Sequence, residues 1–405
     1  MELRTMPSAR RSGVRWLLAA SAALATSVAS SRAIGEPFIP QSDDMVVERL
    51  PTVAAPIYME LQVLLAAPAN LDASVGLARK YIRLAKQESD PRYYGYAEGV
   101  LARWWNDSSP PTTVLTLRAM IKQSRHDFEG AQRDLERALQ AQPANMQAWL
   151  ARAAILRLLA RFDEAKSSCI PLAEAREELL ALTCICEVES LNGQASQCLD
   201  TLAKVYRSKA TLSDDQRQWT LTVLAETAAR LEKVEDAEIY FKEALSLPKP
   251  APYLTGAFAD FLLDQNRPND AVALLSDKTA QDALLLRLAL AKRLAQAIDV
   301  PQLVSDLRNR FEIGRTRREN FHLGDEARFA LYLEGEPRKS LALAKDNWSR
   351  QRTPQDARIL LEAAFAANHP EAAQPAIELL SAAGVGQAAL TRAIAGAMAS
   401  ALARE

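Results

Sequence analysis

Glycine is scarce in this chain, 14 residues among 405, which argues against glycine-rich phosphate loops. Histidine is scarcer still. His126, His322 and His369 are the only three, far apart in sequence, and they leave little material for a metal or acid–base site. Charge of either sign is not in excess: 49 Lys and Arg stand against 50 Asp and Glu, a net of −1. Nothing marks the whole chain as a binder of nucleic acid or another polyanion. No His-Glu-x-x-His, Gly-x-Ser-x-Gly or phosphate-loop pattern occurs. Catalysis has no positive support, no enzyme is expected, and no cofactor is implied. What is plentiful is alanine and leucine, within an apolar content of 49%. That composition favours helices and is ample for a continuous core.

The N-terminus has the form of an export signal. Arg4, Arg10, Arg11 and Arg15 make a positive start, and an apolar run from Trp16 to Ala29 follows. The run is too short to span a bilayer comfortably. Small residues offer cleavage after Ser31 or Ala33, the latter giving a signal peptide of 1–33. Secretory export to a periplasm is the reading, with no transmembrane segment left after cleavage; an uncleaved anchor in the inner membrane is the alternative. The stretch 34–56 contains Pro37, Pro40, Pro51 and Pro56, too dense for a long helix, so an extended arm is expected. Helical apolar spacing begins at Ile57 and defines a divergent helical start over 57–109. It carries Tyr93, Tyr94, Tyr96, Trp104 and Trp105. Such a cluster suits either a peptide-binding surface or the wedge between irregular repeats.

From position 110 the chain repeats itself. Leu115, Ala119, Phe128 and Ala131 recur, all at one fixed step, as Trp149, Ala153, Phe162 and Ala165. Small residues let two helices approach closely, and large ones fill the gap to the next unit. Pro143 closes the second helix. This step and these residue types resemble the tetratricopeptide (TPR) repeat, a helix–turn–helix unit of about 34 residues that stacks on copies of itself. The register then drifts. The step from Ala165 to Cys198 is slightly short and that from Cys198 to Ala237 is long, which places an insertion near Ser208–Asp215. Ala271 restores the original step, and Ser340 and Ala373 mark two degenerate units. A last helix, 387–403, would cap the stack. The expectation is an all-α, right-handed TPR superhelix, or α-solenoid, of about nine helix pairs, with the array over 110–403. With its signal, the chain resembles exported bacterial TPR proteins, and the resemblance implies a non-catalytic scaffold that binds a protein or peptide partner in the cell envelope.

Two sets of residues are candidates for function. Helix-A positions that are neither repeat landmarks nor neighbour contacts should line a concave groove. They are Gln123, Arg157, Glu187, Trp219, Glu226, Arg230, Tyr253, Asp260, Asp264, Phe329, Tyr332, Arg358 and Glu362. The four aromatics among them are the anchors a peptide groove would use. The second set is Cys169, Cys184, Cys186 and Cys198, all within the second and third clear repeats. Facing positions in a TPR pair point to a Cys186–Cys198 bridge and, from adjacent helices, to Cys169–Cys184. Buried free thiols and a metal site remain alternatives, and with them a redox- or metal-linked accessory role. Zinc knuckles usually use Cys-x-x-Cys, which is absent. The run Arg308, Arg310, Arg315, Arg317, Arg318 suits an anion or, more simply, a solvated helix end.

Overall fold

The protein is described by a computed structural model covering residues 55–67, 69–209, 211–316 and 323–382. The expected signal peptide, nearly all of the arm, and the expected capping helix 387–403 lie outside the described residues. Four helices form the irregular start: α1 (Ala55–Ala66), α2 (Leu71–Glu88), α3 (Arg92–Val100) and α4 (Ala102–Trp105). Eight antiparallel pairs follow. They are α5/α6 (Thr112–Ser124, Phe128–Ala141), α7/α8 (Met146–Leu158, Phe162–Glu174) and α9/α10 (Glu178–Glu189, Ala195–Ser208). Next come α11/α12 (Asp214–Arg230, Val234–Leu245), α13/α14 (Pro252–Asp264, Pro268–Leu275) and α15/α16 (Asp282–Leu294, Val300–Thr316). The last two are α17/α18 (Leu323–Phe329, Pro337–Arg350) and α19/α20 (Pro354–Ala366, Gln374–Ala382). A π turn, Ala330–Glu334, continues α17. With α2/α3 counted, the described residues hold nine helix pairs, the number the repeats imply.

The landmark alanines sit where close helix approach demands them. Ala119, Ala131, Ala165, Ala225, Ala237, Ala259 and Ala271 have no exposed surface. The same period is written in the backbone. The residue that turns the chain from the first helix of a pair into the second adopts a left-handed conformation: His126, Ala160, Gly193, Glu232, Asn266 and Gln296, then Gly335 and Asn368. From His126 to Asn266 their spacing retraces the sequence register, including the long interval between Gly193 and Glu232; beyond Asn266 the spacing first shortens and then lengthens again. The insertion is the loop between α10 and α11, which Ser213 ends by capping α11 together with Gln216.

Contacts between helices define two layers. Each first helix touches the first helix of the next pair, from α5–α7 through to α17–α19, whereas the second helices touch their own partner and the following first helix. First helices therefore form the crowded inner layer, and second helices the outer one. Curvature brings distant parts together: α13 touches α2, Gln281 Nε2 donates to the Glu88 carbonyl at 3.2 Å, and the Arg352 amide donates to the Leu158 carbonyl at 2.7 Å.

The aromatic start is core rather than display. Tyr81 and Tyr93 are buried with ring centroids 6.2 Å apart, Tyr94, Trp104 and Trp105 pack half-buried against the same cluster, and Tyr96 is 38% exposed. Between α5 and α6 lies a buried ion pair, Arg118 to Asp134, with Nε–Oδ2 at 2.8 Å. Lys122 adds a contact to the same carboxylate at 2.8 Å.

Candidate interaction surface on the inner face

The inner layer carries a cavity of about 360 Å³ bounded by α2, α5, α7, α9 and α11. Lys86, Met120, Gln123, Gln147, Leu150, Arg157, Glu187 and Trp219 are among the residues that line it. Four of these, Gln123, Arg157, Glu187 and Trp219, are sequence-predicted groove residues, and the fold brings them together. Glu187 is held from two sides: Arg157 Nη2 lies 3.2 Å from one oxygen, and Trp219 Nε1 donates to the other at 3.2 Å. Arg157 Nε is buried without a hydrogen-bond partner. Lys86 is solvent-exposed and has no ion pair or hydrogen bond among the described residues, and the protein around it pushes its ammonium pKa down. A cation left unpaired beside apolar walls attracts a carboxylate.

Lys86, Met120, Gln147 and Leu150 are groove residues that the sequence reasoning missed. Lys86 belongs to the divergent start, where no repeat landmark fixes the register. Met120 and Gln147 were accessible in principle, since they flank Ala119 and Ala148 on the first helices.

Farther along the inner face, the other predicted residues chiefly engage one another. The Tyr253 hydroxyl donates to Glu226 at 2.6 Å, and Arg230 reaches Ser190 Oγ at 3.2 Å and Glu226 at 4.0 Å. Tyr253 exposes 61% of its surface yet faces the interior of the curve. Enclosure by protein first, then the Glu226 charge, holds its phenol proton well above the usual range. The side chain is wet but surrounded. Asp260 accepts from Arg287 at 2.9 Å and from Arg328 at 2.8 Å. Burial alone would raise the Asp260 pKa, but the two guanidiniums outweigh it and hold the carboxyl at about 2. Arg358 bridges Asp264 at 2.7 Å and Glu362 at 2.9 Å, and Tyr332 donates to Glu362. These residues form a self-neutralised ladder along the inner layer.

Phe329 is a correction. It is 2% exposed and packs on Phe311 with centroids 5.3 Å apart, so it is core and no groove anchor. The helix carrying it runs only from Leu323 to Phe329 before the π turn, and that irregularity breaks the spacing from which its position was projected.

The basic run is also consumed internally. Arg308 pairs with Glu334 at 2.8 Å, Arg310 with Asp282 at 2.9 Å, and Arg315 with Glu326; Arg317 and Arg318 lie outside the described residues. The cysteines fall into two neighbouring pairs. Cys169 on α8 and Cys184 on α9 have their sulfurs 1.98 Å apart, at bonding distance. Cys186 on α9 and Cys198 on α10 are free and buried, and the Cys186 thiol lies 3.6 Å from the Cys198 carbonyl oxygen. The pair with the weaker sequence argument is the one at bonding distance. Among the described residues no three His, Cys, Asp or Glu side chains come together to hold a metal.

No protein-family model matches the sequence, and no curated protein matches it. Three solved structures show what the chain is similar to. The Cut9–Hcn1 hetero-tetramer of the APC/C is 11% identical over 84% of this chain and 86% of that one, with a TM-score of 0.39. Yeast Tom70 is 12% identical over 82% and 96%, with a TM-score of 0.24. The TPR domain of P58(IPK) is 13% identical over 86% and 98%, with a TM-score of 0.24. The register of the landmark alanines, the left-handed turn inside each helix pair, and the two-layered stack make this chain an α-solenoid of the TPR type.

Proposed function

We propose that the chain is a non-catalytic scaffold of the cell envelope that holds a segment of a partner protein on its inner face. The observation that carries this reading is the cavity at Lys86, Gln123, Gln147 and Trp219, where Arg157, Glu187 and Trp219 bind one another but the side chains of Lys86 and Gln123 have no ion pair or hydrogen bond among the described residues. The other groove candidates are spent on one another, so the site contracts to the first half of the array. Its lining suits a segment of large apolar residues with a carboxylate among them. Trp219 and Leu150 provide apolar wall, Gln123 and Gln147 provide amide groups, and Lys86 provides charge. The envelope setting rests on the arginine-led apolar N-terminus, and the adjacent sulfurs of Cys169 and Cys184 suit an oxidising compartment. Bacterial origin, export and cleavage after Ala33 belong to this proposal.

Selection of a random peptide library on the immobilised mature protein tests it. Peptides enriched on the unaltered protein should lose about tenfold in affinity against Trp219→Ala, the equivalent of about 1.4 kcal/mol. Peptides that bind both proteins equally would move the interaction off the inner face. N-terminal sequencing of the chain recovered from the periplasmic fraction tests export, with Ile34 as the expected first residue.

A further inference from the structure

The free thiols of Cys186 and Cys198 stand apart from the inner-face cavity in chemistry, although α9 contributes to both. Cys186 lies on α9 and Cys198 on α10, the two arms of one hairpin, and they are 2% and 6% exposed. The Cys186 thiol approaches the Cys198 carbonyl oxygen at 3.6 Å, which brings the two residues together across the hairpin. Close by on α9, Cys184 is already joined to Cys169. Ser190–Gln194 makes the hairpin turn, with Gly193 at φ +82°.

We propose that Cys186 and Cys198 form an oxidisable dithiol, a modification site that exchanges with small aliphatic disulfides and closes into a second bridge between α9 and α10. The two thiols are not equivalent. The hydrogen bond from Cys186 lowers the Cys198 pKa, and the positive charges of Lys166 and Arg230 act in the same direction, against burial and Glu189. Cys186 is pushed up, first by that same hydrogen bond and then by burial. Cys198, the more exposed of the two thiols and the one on which Lys166 and Arg230 act, is the attacking thiolate and Cys186 the resolving thiol. Cys198 attacks one sulfur of the disulfide, forming a mixed disulfide and expelling one thiolate. Cys186 loses its proton to solvent, its sulfur attacks the Cys198 sulfur, and the second thiolate leaves. The protein loses two protons and two electrons, and the small disulfide becomes two thiols.

Burial means that exchange passes through local opening of the hairpin rather than through the closed fold. The consequence of closure is mechanical. Cys169–Cys184 joins α8 to α9, and Cys186–Cys198 would join α9 to α10. Three successive helices are then held covalently, with cavity-lining Glu187 on the middle one. This inference does not depend on what binds the inner face.

Incubation of the folded full-length protein with oxidised glutathione, followed by unfolding in a thiol-alkylating reagent and intact-mass measurement, tests it. The expected product carries no alkyl group and has lost two hydrogens relative to the singly bridged chain. Recovery of two alkylated thiols at Cys186 and Cys198 after prolonged exposure overturns the proposal. Two single variants read the roles. Cys186→Ser leaves the attacking thiol without its resolver and should accumulate one glutathione adduct, whereas Cys198→Ser should accumulate it at least tenfold more slowly. Equal rates would overturn the assignment of attacker and resolver. Retention of the helical circular dichroism spectrum in both variants, with adduct on neither, would overturn the dithiol itself.

Discussion

Among single residues, those that pack were easier to read than those that pair. Alanines at the repeat step were legible because a close helix crossing admits few alternatives, and they are buried as expected. The Arg118–Asp134 pair carries no such signature. Its two residues are 16 apart on facing helices, and either could have been an ordinary surface charge. Both are nearly inaccessible, at 7% and 3%, and burial that would raise the Asp134 pKa is outweighed by hydrogen bonds from Arg118 and Lys122, which lower it. Removing Arg118 leaves Lys122 as the remaining cation on the buried Asp134 carboxylate, so Arg118→Met should cost about 1.5–3 kcal/mol. The double variant Arg118→Met/Asp134→Leu should regain most of that loss. Denaturant unfolding followed by circular dichroism measures both. A double variant no more stable than the single one would mean that the pair itself, rather than the stranded carboxylate, sets the cost. Phe329 shows the opposite limit: its apolar character was visible, but its direction was not, because a short helix running into a π turn offers no stable register.

For elements, the turns carry the clearest consequence. Each pair reverses through one residue at positive φ, and the sequence fills that position with His126, Ala160, Glu232, Asn266 and Gln296 as well as Gly193. Gly193, Asn266, Gly335 and Asn368 are residue types that signal the conformation, but His126, Ala160, Glu232 and Gln296 share no such type, so the motif had to be inferred from flanking helices rather than from the turn. Ala160, at φ 57°, bears a Cβ that this conformation disfavours by about 1 kcal/mol. Ala160→Gly should therefore stabilise the α7/α8 pair by about 0.5–1 kcal/mol. The same substitution at Ala165, inside α8 and fully buried, should destabilise by at least about 1 kcal/mol. Hydrogen exchange of the α7 and α8 amides reads the two variants side by side. Losses of equal size at both positions would deny any conformational relief at the turn. The insertion before α11 was legible for the same reason that Ala160 was not: a break in spacing shows in the sequence, whereas a backbone angle does not.

For the described array as a whole, stacking could be foreseen and curvature could not. The repeat fixes which helix meets its neighbour, but the angle between successive pairs accumulates from many small packing choices. That angle decides whether α13 returns to α2 and whether inner-face charges find one another. The inner ladder is its product. Arg328 reaches Asp260 from a sequence separation of 68, and Arg358 reaches Asp264 from one of 94. Asp260 is the joint of this ladder, with Arg287 on one side and Arg328 on the other. Its folded pKa of about 2 lies below the ordinary carboxylate value of about 3.9 in an unfolded chain. The stabilisation it gives is therefore complete above about pH 4 and fades as pH falls towards 2, where the folded state also takes up the proton. Asp260→Asn should lower the opening free energy of α13, α15 and α17 by about 2 kcal/mol at about pH 7. Hydrogen exchange at these helices should show the difference shrinking between about pH 4 and pH 2. The α5/α6 pair, which makes no contact with Asp260, should be unchanged throughout. A penalty that stays constant over that whole range would assign the residue to packing. One that falls equally on α5 and α6 would show that the array opens as a single cooperative unit rather than pair by pair.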